Sequence, residues 1–309
     1  MVPGRTRHAA QARAGPAGGP RGVLCCTMPN MPNTTAAAPD VDCKSLARDL
    51  RVDIIRMIEA AGSGHPGGSL SIIDILTVLY WKFLKHDPKK PDWPERDRFI
   101  LSKGHACPAL YAVMAKRGYF DKSLLSTLRK LDSPLQGHPD RLRLPGIEFS
   151  TGSLGQGLSV GVGMAYAAKL DKNAARTYVV LGDGEMQEGQ NWEAFMSAPK
   201  FGLDNLVAIV DHNGGQIDGP VHDVMDLEPL ADKLRAFNWD VQTVDGHDDA
   251  AVEKALAAAQ KSGGKPHALV AKTIKGKGVS FMEGNIGWHG KAPNKDEADK
   301  AVAEILNGK

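Results

Sequence analysis

The chain has 309 residues, of which 42% are hydrophobic and 24% charged, and this composition is typical of a globular protein with one large core. The first 39 residues carry four arginines and no acidic residue, which leaves a net charge of about −2 on the remainder. A near-neutral body of this kind argues against a nucleic-acid-binding surface. No apolar run reaches the ~18 residues that a membrane span needs.

The N-terminal segment, residues 1–39, differs in composition from the rest of the chain. It is rich in Gly, Pro and Ala and cannot bury a core, so we predict a disordered tail or a misassigned start upstream of Met28 or Met31. A transit peptide is the alternative, although the segment has no serine and no amphipathic period. Residues 40–309 are then the folded domain. The four cysteines show no metal-ligand spacing, and the reducing cytoplasm is the expected location.

Helical periodicity dominates the first part of the body. Residues 46–61 predict a helix that stops at Gly62, and residues 70–84 a second helix with Ser69 as its cap. A short strand is predicted at residues 97–102, followed by a helix that ends at Gly118. A further helix is expected at residues 121–131, before a long segment rich in Pro and Gly.

Strands and helices alternate regularly from residue 158 onward. After a helix of small residues come four strands separated by helices, and the strands are "RTYVVL", "NLVAIVD", "DVQTV" and "HALVAKT". Strand, helix and strand at this spacing are typical of parallel βαβ units. We therefore predict an α/β fold with a doubly wound, mostly parallel sheet of about five to six strands and helices on both faces. A polar helix is expected to close the chain.

A carboxylate follows one of these strands, where "VVLGDGEMQEGQ" places Asp183 between Gly182 and Gly184. Asn213 follows the next strand thirty positions later, so both side chains are expected at the carboxyl edge of the sheet, where ligands of open α/β sheets bind. With the carbonyl of Gly215 they form a set of oxygen ligands that suits Mg²⁺ or Ca²⁺ shared with a phosphate. The flanking glycines let a ligand approach the backbone. The alternative is a simple turn with an Asx-turn at Asn213.

Four of the ten histidines lie in loops rich in Gly or Pro, and these are His65, His105, His138 and His289. Histidines that converge on one edge of a sheet could contact a phosphate or transfer protons, whereas a single loop histidine is usually solvated. Zinc is the rival use, but no pair has close ligand spacing. The glycines of "GSGHPG" match a dinucleotide-binding pattern, which we reject because the pattern follows a helix rather than a strand.

Two further segments have competing interpretations. "STGSLGQGLSVGVGMAYAA" is either a glycine-rich entry that brings a helix close to a bulky ligand or a case of tight helix-sheet packing. "KTIKGKG" carries Lys272, Lys275 and Lys277, and we expect a solvated loop there, with phosphate contact as the alternative.

Taken together, these residues resemble the N-terminal, diphosphate-binding part of transketolase, a thiamine diphosphate enzyme. The resemblance covers residues 44–305 and rests on segments in that family's order and spacing, which are "SGHPGG", "LSKGHA", "GHPD", "TGSLGQG", "GDGEMQEGQNWEA", "DHNGGQIDG" and "WHG". The chain looks like the first subunit of a split transketolase, because it stops where a full-length enzyme continues into its pyrimidine-binding and C-terminal domains. One departure is Gly215, which stands where the family has a larger apolar residue.

The resemblance implies a role for each matching position. Asp183, Asn213 and the carbonyl of Gly215 would hold Mg²⁺, for which Ca²⁺ or Mn²⁺ could substitute. His105 and His289 would lie at the diphosphate. His138 would polarise the sugar carbonyl and His65 would assist proton transfer, and His289 would also lie near the reacting centre. The residues implied to line the cofactor are Gly152, Leu154 and Ile217, together with the glycines at 182 and 184, and Glu188 is expected at the contact with the pyrimidine-binding domain.

The resemblance also implies the activity and its partners. We expect an N-terminal transketolase subunit that acts in the cytoplasm on sugar phosphates of the pentose phosphate pathway, within a dimer of heterodimers. A C-terminal subunit would carry the pyrimidine-binding domain, so the chain alone should have little activity. The alternatives are the first subunit of a transketolase for an unusual sugar or of a 2-oxo acid dehydrogenase, and a non-catalytic module that binds the cofactor.

Overall fold

The protein is described by a computed structural model that covers residues 41–261 and 263–308. The prediction for residues 1–39 lies outside this part of the chain. Its helices are α1 Cys43–Ala61, α2 Pro66–Val78, α3 Cys107–Arg117, α4 Gln156–Leu170, α5 Gly189–Lys200, α6 Val221–Met225, α7 Leu230–Ala236, α8 Asp249–Ala259 and α9 Lys295–Leu306. Its strands are β1 Arg98–Leu101, β2 Thr177–Gly182, β3 Leu206–His212, β4 Gly215–Gln216, β5 Gly219–Pro220, β6 Asp240–Asp245 and β7 His267–Lys272.

Five strands form one parallel sheet in the order β1-β2-β3-β7-β6. This confirms the predicted α/β architecture and its strand number. The register aligns Gly182, at the end of β2, with Asp211 near the end of β3. Because all five strands run the same way, the loops that follow β1, β2, β3 and β7 leave from one edge of the sheet.

Alternate residues of the central strands face two separate cores. On β2, Tyr178 and Val180 pack into a core that α1, α2, α3, α8 and α9 complete, whereas Val179 and Leu181 pack into a second core with α4, α5 and α7. Helices therefore cover both faces, as a doubly wound sheet requires. Among the described residues, no helix is long and apolar enough to cross a membrane.

The boundaries of two predicted helices were wrong. Helix α2 begins at Pro66 with His65 as its N-cap, so Ser69 lies inside the helix, where its hydroxyl donates to the His65 carbonyl. Proline favours the first helical position, because its missing N–H has no partner there. The segment expected as a helix at residues 121–131 is a short 3₁₀ helix, Lys122–Thr127. The hairpin of β4 and β5 and the short helix α6 were not predicted.

Helix α4 lies close to β2, so a glycine-to-alanine substitution should change the free energy of unfolding differently on the two faces of the helix. A Cβ at Gly161 would overlap the Val179 side chain, whereas a Cβ at Gly163 would meet nothing within 4 Å. We expect Gly161→Ala to lower the free energy of unfolding by about 1–3 kcal/mol through overpacking. Gly163→Ala should raise it by about 0.5–1 kcal/mol, because alanine favours the helix. Urea denaturation of both variants checks this, and equal effects would contradict the packing described here.

Candidate active site

Asp183 directly follows β2, as predicted, and its carboxylate is buried, with the residue 2% exposed. Oδ1 accepts a hydrogen bond from the Gly184 backbone N–H at 2.9 Å, and Oδ2 accepts one from that of Gly214 at 2.5 Å. The second bond joins the loop after β2 to the loop after β3. Burial and the neighbouring Asp211 carboxylate raise the pKa of Asp183 above its usual range.

Asn213 lies in the loop after β3, beside the backbone that contacts Asp183. Its Oδ1 accepts from the Gly215 N–H at 3.1 Å, and its Nδ2 donates to Asp211 Oδ2 at 2.8 Å. The Gly215 carbonyl accepts from Lys275 Nζ at 3.0 Å. The space that a side chain at Gly215 would need is filled by Ile286. This contact leaves no room for a side chain at Gly215.

These residues fit a divalent cation. Asp183 offers a buried carboxylate that accepts hydrogen bonds from two backbone N–H groups, and Asn213 offers an amide oxygen on the adjacent loop. Oxygen donors with one formal charge suit Mg²⁺ or Ca²⁺ that also binds a phosphate. Residues 41–261 and 263–308 contain no group of three or more His, Cys, Asp or Glu side chains that could hold a metal.

The four loop histidines lie together. The His65 ring centroid is 5.2 Å from that of His105, 5.5 Å from that of His289 and 6.4 Å from that of His138, and the His105 and His289 centroids are 5.1 Å apart. Their loops are separated along the chain by up to 224 positions and are brought together by the fold. Convergence of the four side chains is therefore a feature of the structure.

Burial keeps all four imidazoles neutral near neutral pH. It lowers the pKa of His65 to about 4 and that of His289 to about 3, and it places the pKa of His105 well below 6.5. The pKa of His138 is lowered by burial and then by the positive charge of Arg129. Neutral imidazoles can donate one hydrogen bond and accept another, and they can take up a proton during a reaction.

The low pKa of His289 predicts a specific pH dependence of stability. Below the ordinary pKa of 6.5 the unfolded chain binds a proton that the folded chain does not bind until about pH 3, so stability is lost as the pH falls through this window. We expect the wild type to lose more free energy of unfolding between about pH 7 and about pH 5 than His289→Gln does. Urea denaturation at both pH values measures this. Equal losses would show that His289 is not buried in its neutral form.

The remaining predicted residues differ in their exposure and in their neighbours. Gly152 has φ 139° and lies against His138, whose ring atoms would be 3.0 Å from a Cβ at this position. Leu154 is half-buried in the following loop. Glu188 is the exposed N-cap of α5, and Ile217 is 69% exposed in the turn between β4 and β5. Gly184 begins a short 3₁₀ helix and lies beside Gln216.

A buried ion pair that was not predicted lies beneath the predicted metal ligands, although its two residues belong to the segments "LSKGHA" and "DHNGGQIDG". Lys103 Nζ contacts Asp211 Oδ2, and both residues are almost completely buried. Asp211 also accepts hydrogen bonds from Ser71, Thr273 and Asn213. The carboxylate thus connects the start of α2 and the loops that follow β1, β3 and β7.

Two further buried groups were misjudged or missed. The expectation that the lysines of "KTIKGKG" are solvated was wrong for Lys275, which is 2% exposed, and burial together with Lys103 lowers its pKa to about 8. Glu185 is also 2% exposed and accepts hydrogen bonds from Ser102 Oγ and from the backbone of Gly155 and Gly182. Glu185 immediately follows the Gly-Asp-Gly motif, and this position was the sequence signal that could have identified it.

The arrangement suits a ligand that has both an anionic and a polar part. Buried cations, a carboxylate for a divalent metal and four neutral imidazoles share one edge of a parallel sheet, where such folds bind ligands. A diphosphate bridged by a metal fits the charged side, and a polyhydroxylated substrate fits the imidazoles. Fold and site together define an α/β domain for a diphosphate-containing cofactor.

Comparison with known proteins identifies the family. Residues 42–306 match the family model "Transketolase, thiamine diphosphate binding domain". The chain is 46% identical over 265 residues to the 6-deoxy-6-sulfo-D-fructose transketolase subunit of Clostridium sp. strain MSTE9, with 86% of this chain and 96% of that protein covered. The chain therefore belongs to the transketolase family, and it corresponds to the N-terminal subunit of split transketolases.

Other relatives agree. The chain is 44% identical over 255 residues to an apulose-4-phosphate transketolase subunit from Phocaeicola vulgatus, with 82% of this chain and 90% of that protein covered. The structure of transketolase from Leishmania mexicana matches with a TM-score of 0.82 and 32% identity over 86% of this chain. The chain spans only 41% of that enzyme. The match confirms the thiamine diphosphate-binding α/β fold.

Proposed function

We propose that the protein is the N-terminal subunit of a heteromeric transketolase, which transfers a two-carbon ketol unit from a ketose phosphate to an aldose phosphate. The observation that carries this proposal is the convergence of four neutral histidines in a chain of this family that also carries Asp183 and Asn213 on adjoining loops. A site that bound only the cofactor would need only the charged groups, such as Asp183 and Lys275. The additional imidazoles provide the polar contacts that a sugar substrate requires.

The proposed metal and cofactor contacts follow from the donors at the sheet edge. Asp183, Asn213 and the Gly215 carbonyl would bind Mg²⁺, although that carbonyl now accepts a hydrogen bond from Lys275. Lys275 is buried with its Nζ at the Gly215 carbonyl, and Lys275 and His105 would both contact the diphosphate. Gly152, Leu154 and Ile217 would line the cofactor. Mg²⁺ is favoured by the oxygen donors, with Ca²⁺ or Mn²⁺ as substitutes.

The proposed chemistry divides between the cofactor and the protein. Thiamine diphosphate supplies carbanion stabilisation when bound, and the protein supplies orientation and proton transfer. His138 would donate a hydrogen bond to the sugar carbonyl, and His65 and His289 would exchange protons with substrate hydroxyls. Their lowered pKa values keep each ring able to accept a proton at neutral pH.

A second subunit completes the proposed enzyme. The Clostridium and Phocaeicola relatives, which this chain covers over 96% and 90% of their length, are named as subunits. We propose a partner that carries the pyrimidine-binding domain, contacts the exposed Glu188 and forms a dimer of heterodimers with this chain. The unpaired Cys43 and Cys107 are consistent with the proposed cytoplasmic location.

The proposed substrate class is phosphorylated sugars of the pentose phosphate pathway. The names of the relatives refer to apulose-4-phosphate and 6-deoxy-6-sulfo-D-fructose, so a less common anionic sugar is an alternative donor. The histidine cluster favours a sugar over a 2-oxo acid, since a 2-oxo acid has fewer hydroxyl groups to bind.

The test is reconstitution with a candidate second subunit in the presence of thiamine diphosphate and Mg²⁺. Xylulose 5-phosphate, fructose 6-phosphate and the two sugars in the relatives' names are offered as donors with ribose 5-phosphate as acceptor, and pyruvate is offered in parallel. Transfer from at least one sugar donor, with no turnover of pyruvate, supports the proposal. Turnover of pyruvate alone would assign the chain to a 2-oxo acid enzyme.

A further inference from the structure

A single guanidinium connects the two Gly-His-Pro segments of the candidate active site. Arg129 Nη1 donates to Ser63 Oγ at 3.1 Å, and its Nη2 lies 3.4 Å from His65 Nδ1 and 3.3 Å from the Gly137 carbonyl that it donates to. Ser63 and Gly137 each lie close in sequence to one of the histidines. Arg129 therefore holds the loop of His65 against the loop of His138.

The local backbone is adapted to this contact. Arg129 follows the 3₁₀ helix Lys122–Thr127 and has φ 60°, a left-handed conformation that residues with side chains seldom adopt. Its N–H donates to the Leu135 carbonyl at 2.9 Å. The guanidinium lies so close to Gly137 that a Cβ there would be 2.9 Å from Arg129 Cζ. Its buried Nε has no hydrogen-bond partner.

The contact determines which nitrogen of His65 carries the proton. A guanidinium remains protonated and can only donate hydrogen bonds, so Nδ1 of His65 must accept. In the neutral ring the proton then resides on Nε2. The Nε2 atom lies beside the loop of His289, because it would be 3.4 Å from a Cβ at Gly290, the residue after His289.

We propose that Arg129 is a positioning residue that holds His65 as its Nε2–H tautomer, with that N–H directed towards the substrate. This rests on the proposed function, in which His65 exchanges protons with the sugar. Without Arg129 the ring could rotate or change tautomer. It would then present an acceptor in place of a donor to the same substrate atom.

The charge of Arg129 acts on His65 in addition to its hydrogen bond. Burial is the largest cause of the low pKa of His65, about 4, and Arg129 is the next. The titratable or charged groups around the ring are Arg129, His138, Lys275, His105 and His289. Removing Arg129 leaves burial and the other groups in place, so the pKa of His65 should rise only part of the way towards 6.5.

The test is long-range ¹⁵N–¹H NMR of the full chain with labelled histidine, titrated with acid. In the wild type we expect His65 Nδ1 to be the unprotonated nitrogen. In Arg129→Met we expect a mixture of tautomers and a higher pKa. Arg129→Lys keeps a cation that, like arginine, can only donate hydrogen bonds, so both the low pKa and the Nε2–H tautomer should persist. Arg141→Met, at an exposed arginine, is the control and should match the wild type.

Kinetics of the reconstituted enzyme provide the second measurement. We expect Arg129→Met to lower kcat/KM about tenfold and to move the acidic limb of its pH profile upward, since a catalytic imidazole is both misplaced and easier to protonate. A wild-type proton on Nδ1, or an unchanged tautomer and pKa in Arg129→Met, would overturn the proposal. If Arg129→Met does not fold, the wild type and Arg129→Lys decide it. If the NMR spectra are as expected but the reconstituted wild type does not turn over sugars, the proposed function is contradicted while the role of Arg129 stands.

Discussion

Asp183→Ala is expected to weaken Mg²⁺-dependent binding of thiamine diphosphate to the reconstituted enzyme by at least about 100-fold and to abolish ketol transfer. The carboxylate is the only charged donor of the proposed metal set, and it is buried where water cannot replace it easily. The backbone N–H groups of Gly184 and Gly214 would remain, and they would repel a cation.

The measurement is calorimetric titration of the cofactor into the enzyme at several Mg²⁺ concentrations. Asp232→Ala is the matched control, because Asp232 is an exposed aspartate on α7 that pairs with Arg235 in the same helix. The control should bind like the wild type. Unchanged cofactor binding by Asp183→Ala would remove the proposed metal role of this residue.

Asp211→Ala should lower the free energy of unfolding by about 3–5 kcal/mol, because it leaves the Lys103 ammonium buried without its partner. Lys103 is 1% exposed and Asp211 is fully buried, so solvent cannot compensate. The substitution also removes the acceptor for Ser71, Thr273 and Asn213. Urea denaturation of the chain without cofactor measures the loss, and Asp232→Ala should cost less than about 0.5 kcal/mol.

A double variant separates the cost of the unpaired charge from the cost of the lost hydrogen bonds. Lys103→Met combined with Asp211→Ala removes both charges, so no unpaired ammonium stays buried, and methionine is close to lysine in length. We expect the double variant to be more stable than Asp211→Ala. If the two are equally destabilised, the loss arises from the hydrogen bonds of Ser71, Thr273 and Asn213 rather than from an unpaired charge.

The parts of the structure that were predictable from sequence are those with local signals. Alternation of strands and helices predicted the sheet, and the polar residues that follow two buried strands predicted that Asp183 and Asn213 share one edge. Glycine and proline marked the four histidine loops. The mutual distances of the histidines became known only from the structure, since they depend on how loops far apart in the chain pack.

The residues that were missed act through long-range contacts. Lys103 and Asp211 pair across 108 positions, and no local pattern distinguishes a buried lysine from an exposed one. Lys275 lies in a segment of glycines and lysines whose composition is that of a solvated loop, yet its ammonium reaches the Gly215 carbonyl. Arg129 contacts His65 across 64 positions through a long side chain.

We propose that this chain provides the half of a ketol transferase that binds the metal and the diphosphate, and that it depends on a second subunit for turnover. The most direct measurement is ketol transfer by the purified chain on its own, by the candidate partner on its own and by their mixture, each with thiamine diphosphate and Mg²⁺. We predict transfer by the mixture and none by either protein in isolation. Transfer by this chain on its own, or none by the mixture with any of the sugar donors, would contradict this division of roles between two subunits.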